Sequence, residues 1–265
     1  MVVDHTCPVA WAREHDLLAD SPVGNSWCLS YQRERVMGLA RIDARRSQLR
    51  LLRDGSLSIF YDACDWVNTS AKVMLVGITP GFHQATEGLR EAQRCLREGL
   101  TNEETLRCAN TVGSFSGPMR ANLVTMLDGI GLAGALGLSS SAQLFGADRH
   151  LLASASAISY PVFVNGENYG GSNPSLTRHP LLRSLVRACL GARAGMAARA
   201  LVVPLGKAAQ DAVALLIADG LLDQGRCLLG FPHPSGANGW RARQYAARRK
   251  TLRNEVAYWA PKKPS

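Results

Sequence analysis

None of the seven cysteines (Cys7, Cys28, Cys64, Cys95, Cys108, Cys189 and Cys227) stands in C-x-x-C spacing with another. An odd number without close pairs argues against a disulfide framework and against a zinc or iron–sulfur site; it predicts reduced, mostly buried thiols and no cofactor. Long apolar runs are also missing. "AVALLIA" (212–218) is among the longest, too short to span a bilayer, so no membrane role is expected. The opening "MVVDHTCPVAWAREHD" carries Asp4 and His5 where a secretion signal needs an apolar run, which makes the cytoplasm the expected location. Internal repeats and low-complexity segments are absent. Acidic residues are in deficit, 21 against 30 Lys and Arg, for a net charge of +9. That balance fits a polyanionic partner, although the placement of the charge matters more than its total.

The 265 residues suffice for one large domain with a sizeable core. Four short apolar runs read as strands: "KVMLVG" (72–77), "YPVFVN" (160–165), "RALVVPLG" (199–206) and "RCLLGF" (226–231). Nearly continuous apolar character suits strands covered on both faces. Helical patterns at 122–136, 179–190 and 207–220 separate them. Alternating strand and helix predicts an α/β fold with a parallel sheet and right-handed crossovers. Ligands of such sheets bind at the carboxyl ends of the strands. Residues 8–20 and 29–53 read as helices, the second bearing Arg41, Arg45, Arg46, Arg50 and Arg53. That row suits a solvated helix face better than a DNA-facing stripe. The expected organisation is a helical N-terminal extension (1–70), a core domain (71–260) and a short tail (261–265).

The strand ends carry the chemistry-bearing residues. After the first comes "GITPGFHQ", which lacks the Lys-Ser/Thr of a phosphate-binding P-loop and is not G-x-G-x-x-G. After the second comes "NGENYGGSNP", opening on Asn165, whose amide offers the donors and acceptor needed to read a base edge. After the third, Gly206 and Lys207 start a helix, where backbone N–H groups meet anions. After the fourth, "PHPSG" holds His233 between two prolines. Between the first two strands, "GSFSG" has Phe115 where a serine-hydrolase elbow needs its nucleophile, which rules out that chemistry. Phe115 is either a stacking platform or a ring tucked into the core.

A Gly-x-x-Pro-Gly turn, "FSG" leading into "MLDGIGL", an Asn closing a strand, "LGKAA" and "HPS" follow one another in this order. Together they resemble the uracil-DNA glycosylase superfamily over residues 72 to about 258. The resemblance implies a three-layer α/β/α fold with a four-stranded parallel central sheet, acting as a monomer on DNA. It also implies a nucleotide flipped from the duplex into the crevice, since the glycosidic bond is out of reach inside the stack. By resemblance, Phe115 stacks on the flipped base, Asn165 reads its Watson–Crick edge, and Gly77, Ile78, Phe82 and His83 line the pocket. His233 donates to the base as negative charge develops there. Ser235, Gly236 and Asn238 in the "HPSGANG" loop, with Lys207, Arg241 and Arg243, would hold DNA phosphates, giving affinity and salt dependence.

The "GITPG" turn departs from the family pattern, which has Asp or Asn at its third position or Glu at its second to orient the attacking water. Here those positions are Thr79 and Ile78. Glu167, Asn168, His83 and Asp128 are the alternative water-holding candidates. Glu167, Asn168 and Tyr169 also supply more polar groups than uracil requires, which suits a larger, hydroxyl-bearing base. Three expectations follow. The first is a glycosylase for a modified or damaged pyrimidine, either plain uracil in repair or a hydroxymethylated or glucosylated cytosine of phage DNA in defence. The second is a non-catalytic modified-base reader. The third is a small-nucleotide hydrolase, which leaves the basic segment after the loop unused.

Overall fold

The computed structural model of the protein describes residues 12–18 and 27–260. Its centre is a parallel sheet of β3 (Val73–Gly77), β4 (Leu152–Ser156) and β7 (Leu201–Pro204), in the order β4–β3–β7. Val73 stands opposite Leu152 on one side and Leu201 on the other. Alternation along β3 separates two cores: Met74 and Val76 face one cluster, Val73 and Leu75 the other. Both faces are therefore covered, which is why "VMLVG" carries no polar residue.

The first core is covered by α1 (Leu29–Met37), α2 (Phe82–Arg97), α3 (Asn102–Gly113), α5 (Pro180–Val186) and α6 (Lys207–Ala218). The second is covered by α4 (Pro118–Gly129) and α7 (Arg241–Trp259), through Leu123, Leu127, Leu252 and Val256. Helices α2 and α3 lie close together. Gly88 and Gly113 leave room there: a Cβ on Gly113 would stand 3.1 Å from the Gln84 carbonyl. Among the described residues, no helix is long and apolar enough to cross a membrane.

Three expectations are corrected. The parallel sheet has three strands, not four. The segment 226–231 touches it through one isolated bridge, Val202 to Cys227, with the Leu228 N–H donating to the Val202 carbonyl at 2.8 Å. Beyond it, Pro232 and Pro234 have no N–H with which to continue a ladder. The run "YPVFVN" is also not in this sheet. Its central residues form β5 (Val162–Val164) of an antiparallel sheet ordered β1 (Arg50–Asp54), β2 (Leu57–Phe60), β5 and β6 (Glu167–Asn168). The parallel neighbour of β3 is instead "LASAS", whose Ala and Ser side chains carry too little apolar signal to be read as a buried strand.

The third correction concerns the N-terminal region, which is not all helical. The helix expected at 29–53 stops at Met37 and is capped by Gly38. Residues further on form β1 (Arg50–Asp54) and β2 (Leu57–Phe60), an antiparallel hairpin across Gly55. Arg41, Arg45, Arg46, Arg50 and Arg53 therefore share no helix face. Strand β2 pairs with β5, with Ser58 opposite Phe163, tying residues 50–60 to the core. Residues 8–11 and 19–20 of the helix expected at 8–20, and the tail 261–265, lie outside the described residues.

Candidate functional site

A cavity of about 600 Å³ opens at the carboxyl ends of β3 and β4. Among the chain segments that meet there are the turn after β3, the Phe115 loop before α4, the end of β4, the Asn168–Gly170 stretch and the His233 loop. This is where a parallel sheet leaves a crevice between diverging connections. Of the residues singled out from sequence, Gly77, Ile78, Thr79, Phe82, His83, Phe115, Asn168, His233 and Ser235 line it.

His233 is held on every side. Its Nδ1 accepts from the Ser235 N–H at 3.3 Å, and its carbonyl accepts from Asn238 Nδ2 at 3.2 Å. The Pro234 carbonyl accepts from Asn122 on α4, and the Ser235 carbonyl from Arg241 on α7 at 2.7 Å. Nδ1 as acceptor assigns the neutral ring its proton on Nε2, leaving one N–H donor. Burial pushes the His233 pKa below its ordinary value, so the ring is neutral at pH 7.

Gly206 completes this mounting. Its φ is +84°, and a Cβ there would fall 2.7 Å from His233 Cβ. Gly206→Ala should lower stability by about 1–3 kcal/mol through overpacking and left-handed strain. Urea unfolding measures it; an unchanged midpoint would show that the loop yields freely and is not rigidly mounted.

Phe115 is tucked into the core and also borders the cavity. It adopts a left-handed φ of +48° and is buried among Leu75, Leu123 and Leu127. The ring also borders the cavity, with Cε1 3.7 Å from where a Gly77 Cβ would be. Thr79 has its hydroxyl committed: Oγ1 donates to the Tyr160 carbonyl at 2.6 Å and accepts from the Val162 N–H at 3.1 Å. It pins the turn after β3 to the approach to β5. Asn168 Oδ1 accepts from the Phe82 N–H at 2.8 Å and so steadies the start of α2.

Asn165 and Glu167 are not brought to the cavity. Asn165 and Gly166, with φ of +51° and +85°, form the two-residue turn of the β5–β6 hairpin (β6, Glu167–Asn168). Asn-Gly is the pair such a turn selects, so this outcome was written in "VNGEN". Glu167 is exposed on the hairpin. Asp128 accepts from Ser140 Oγ and the Ser141 N–H, at 2.8 and 2.6 Å, fixing the connection after α4.

Around the loop, Lys207 is exposed and paired with Asp211, Gly236 is exposed and Asn238 half-buried beside the cavity mouth. Arg241 is used internally, as described. Arg243 lies over the Trp240 ring at 5.8 Å, and the ring itself is exposed. Helix α7 packs through Tyr245, Leu252 and Val256, leaving Arg243, Arg248, Lys250 and Arg253 on its outer faces.

Three features of the cavity had no sequence signal. Ser114, Ser116, Ser154, Ser156 and Ser159 join the expected Ser235 in lining it, six serines in all, and among the described residues that line it none is acidic. Arg149 orients one group of them, donating to Ser154 Oγ, Asn110 Oδ1 and Ser114 Oγ. Burial pulls the Arg149 pKa down to about 10, so it stays charged at pH 7. At the other end Arg193, 2% exposed, donates from Nε to Ser159 Oγ at 2.9 Å and from Nη2 to the Cys64 carbonyl at 3.0 Å. Behind Cys64 and Arg193 lie buried Asp62 and Asp65, the latter paired with Arg193 at 3.5 Å. Asp62 Oδ1 accepts from the Cys64 N–H, while its Oδ2 has no hydrogen-bond partner.

No family model matches the chain. It is similar to "Uncharacterized protein YoxB" of Bacillus subtilis (strain 168), with 37% identity over 242 residues, covering 89% of this chain and 94% of that protein.

Proposed function

We propose that this chain, which belongs to one family with YoxB, is a DNA N-glycosylase. In this reading it takes a flipped, modified or damaged pyrimidine into the cavity, hydrolyses the N-glycosidic bond and leaves an abasic site. The observation that carries the reading is the meeting of the β3 turn, Phe115 and a rigidly mounted neutral His233 around one cavity at the carboxyl end of the sheet. The C1′–N bond breaks with its electron pair passing to the base, and Nε2–H of His233 stabilises that anion. Such a preorganised donor is worth roughly 3–4 kcal/mol. Water adds to C1′ and releases a proton to solvent. The exposed arginines of α7 beside the loop supply phosphate contacts, and the protein acts as a cytoplasmic monomer.

The preferred substrate is a cytosine carrying a hydroxymethyl or glucosyl group, as in phage DNA, which makes the enzyme a defence protein. Support comes from the cavity wall: six serines with Asn110 and Asn168 offer hydroxyl-matching groups in excess of what a plain pyrimidine uses. Uracil removal in repair is the alternative substrate. A second reading, a modified-base reader without catalysis, is favoured by the lack of a free water activator: the Thr79 hydroxyl is committed to backbone, and among the described residues that line the cavity none is acidic. The test is a panel of matched duplexes and single strands containing uracil, hydroxymethylcytosine or glucosylated cytosine, scored for alkali-labile abasic sites. Strand cleavage at glucosylated cytosine is expected. Salt-dependent binding with no abasic product on any DNA would establish the reader instead.

A further inference from the structure

Away from the cavity, α2 and α3 bring together three side chains that the sequence keeps apart. Glu91 and Cys95 stand at i and i+4 on one face of α2, and Cys108 faces them from α3. One carboxylate oxygen and the two Sγ atoms all lie within 4.8 Å of one another. Cys95 is buried, while Glu91 and Cys108 are half-buried. In a tetrahedral zinc site with Zn–S bonds of about 2.3 Å, ligand atoms stand about 3.7 Å apart. The three groups therefore need to close by only about 1 Å to meet a common ion.

From this cluster we infer that the protein holds a divalent cation of the zinc class through Cys95, Cys108 and Glu91, with water in the fourth position. Two thiolates and a carboxylate are a borderline-soft donor set that discriminates against magnesium and calcium. Arg94 prepares the set. It donates to both Glu91 oxygens, at 3.0 and 2.6 Å, and so fixes the carboxylate beside the two sulfurs. Its Nη2 also lies 3.5 Å from Cys95 Sγ. Binding releases the two thiol protons to solvent; the divalent ion with two thiolates and one carboxylate then carries one net negative charge, which the Arg94 guanidinium offsets.

The ion would clamp α2 to α3. These helices also frame the cavity, since α2 begins at Phe82 on its rim and α3 delivers Asn110 and Gly113 to its wall. Occupancy then raises the unfolding temperature with the logarithm of free metal above the dissociation constant. The inference is independent of the glycosylase reading, because its readout is metal binding.

The test uses the full chain, purified under reductant and stripped of metal, titrated with cobalt(II). Expected are one cobalt per chain, thiolate-to-cobalt charge-transfer absorption in the near ultraviolet, and displacement by zinc. Cys95→Ser and Cys108→Ser should abolish the absorption, whereas Cys227→Ser should keep it. Because Cys95 is buried and its replacement risks the fold, Glu91→Gln serves as the milder variant. It should weaken binding by at least about tenfold, the loss seen when even an outer partner of a ligand is removed. Absence of the charge-transfer band in the folded parent, or its survival in a Cys95→Ser/Cys108→Ser protein, overturns the inference.

Discussion

Replacing His233 by alanine should lower the rate of abasic-site formation by about 10²–10³-fold, with little change in DNA affinity. The magnitude is that of one preorganised donor to a developing anion. Affinity should hold because the basic groups of α7 and the neighbouring loop remain. Stability should also hold closely, since the His233 ring is only partly buried and its backbone anchors, from Asn122, Arg241 and Asn238, use main-chain oxygens that alanine retains. Single-turnover kinetics on a cleavable duplex and fluorescence anisotropy on the same DNA separate the two quantities. A variant that loses binding and rate in parallel would point to a loop that only grips DNA. A variant with unchanged rate removes His233 from the chemistry altogether.

The second large effect concerns Asp62 and is one of stability against pH. This carboxyl is wholly buried, and desolvation pushes its pKa up to about 7, against the partial relief given by the Cys64 N–H and by Arg193. The folded state thus holds a proton that the unfolded chain, with a pKa near 3.8, releases earlier. Stability from this group is fully present below about pH 4 and is lost as pH rises through 7. The loss is on the order of 4 kcal/mol, at 1.36 kcal/mol per pKa unit. Asp62→Asn mimics the protonated form and keeps an oxygen for the Cys64 N–H. Its urea midpoint should match the parent at pH 4 and exceed it clearly at pH 8. Parallel curves for the two proteins across that range would mean that Asp62 is ionised in the fold and paired more strongly with Arg193 than its position indicates.

Both groups act beside the same cavity, yet only one was visible in the sequence. His233 announced itself through local chemistry: an apolar run, two prolines and a glycine-rich turn within a dozen residues. Strands β3 and β7 and helix α6 were legible for the same kind of reason, since burial on both faces or along one side leaves a trace in consecutive residues. Asn165 is an instructive failure. "VNGEN" carried an Asn-Gly hairpin signal, but the apolar run before it suggested a parallel strand, and the longer-range expectation displaced the local one.

Sequence by itself determined the α/β character, the parallel β3–β7 core, the Phe115 and His233 loops and the basic character of the segment that forms α7, because each is encoded in neighbouring residues. Tertiary structure alone decided the rest. It chose Ala/Ser-rich β4 as the neighbour of β3, committed the Thr79 hydroxyl to backbone near β5, and gathered six serines around the cavity. It also set Arg193 against Asp65, 128 positions away, and brought Cys108 to Glu91 and Cys95. These groupings join residues far apart in the chain or on different elements. Their energies come from desolvation and close packing, which act on spatial neighbours and leave no period or spacing in the sequence.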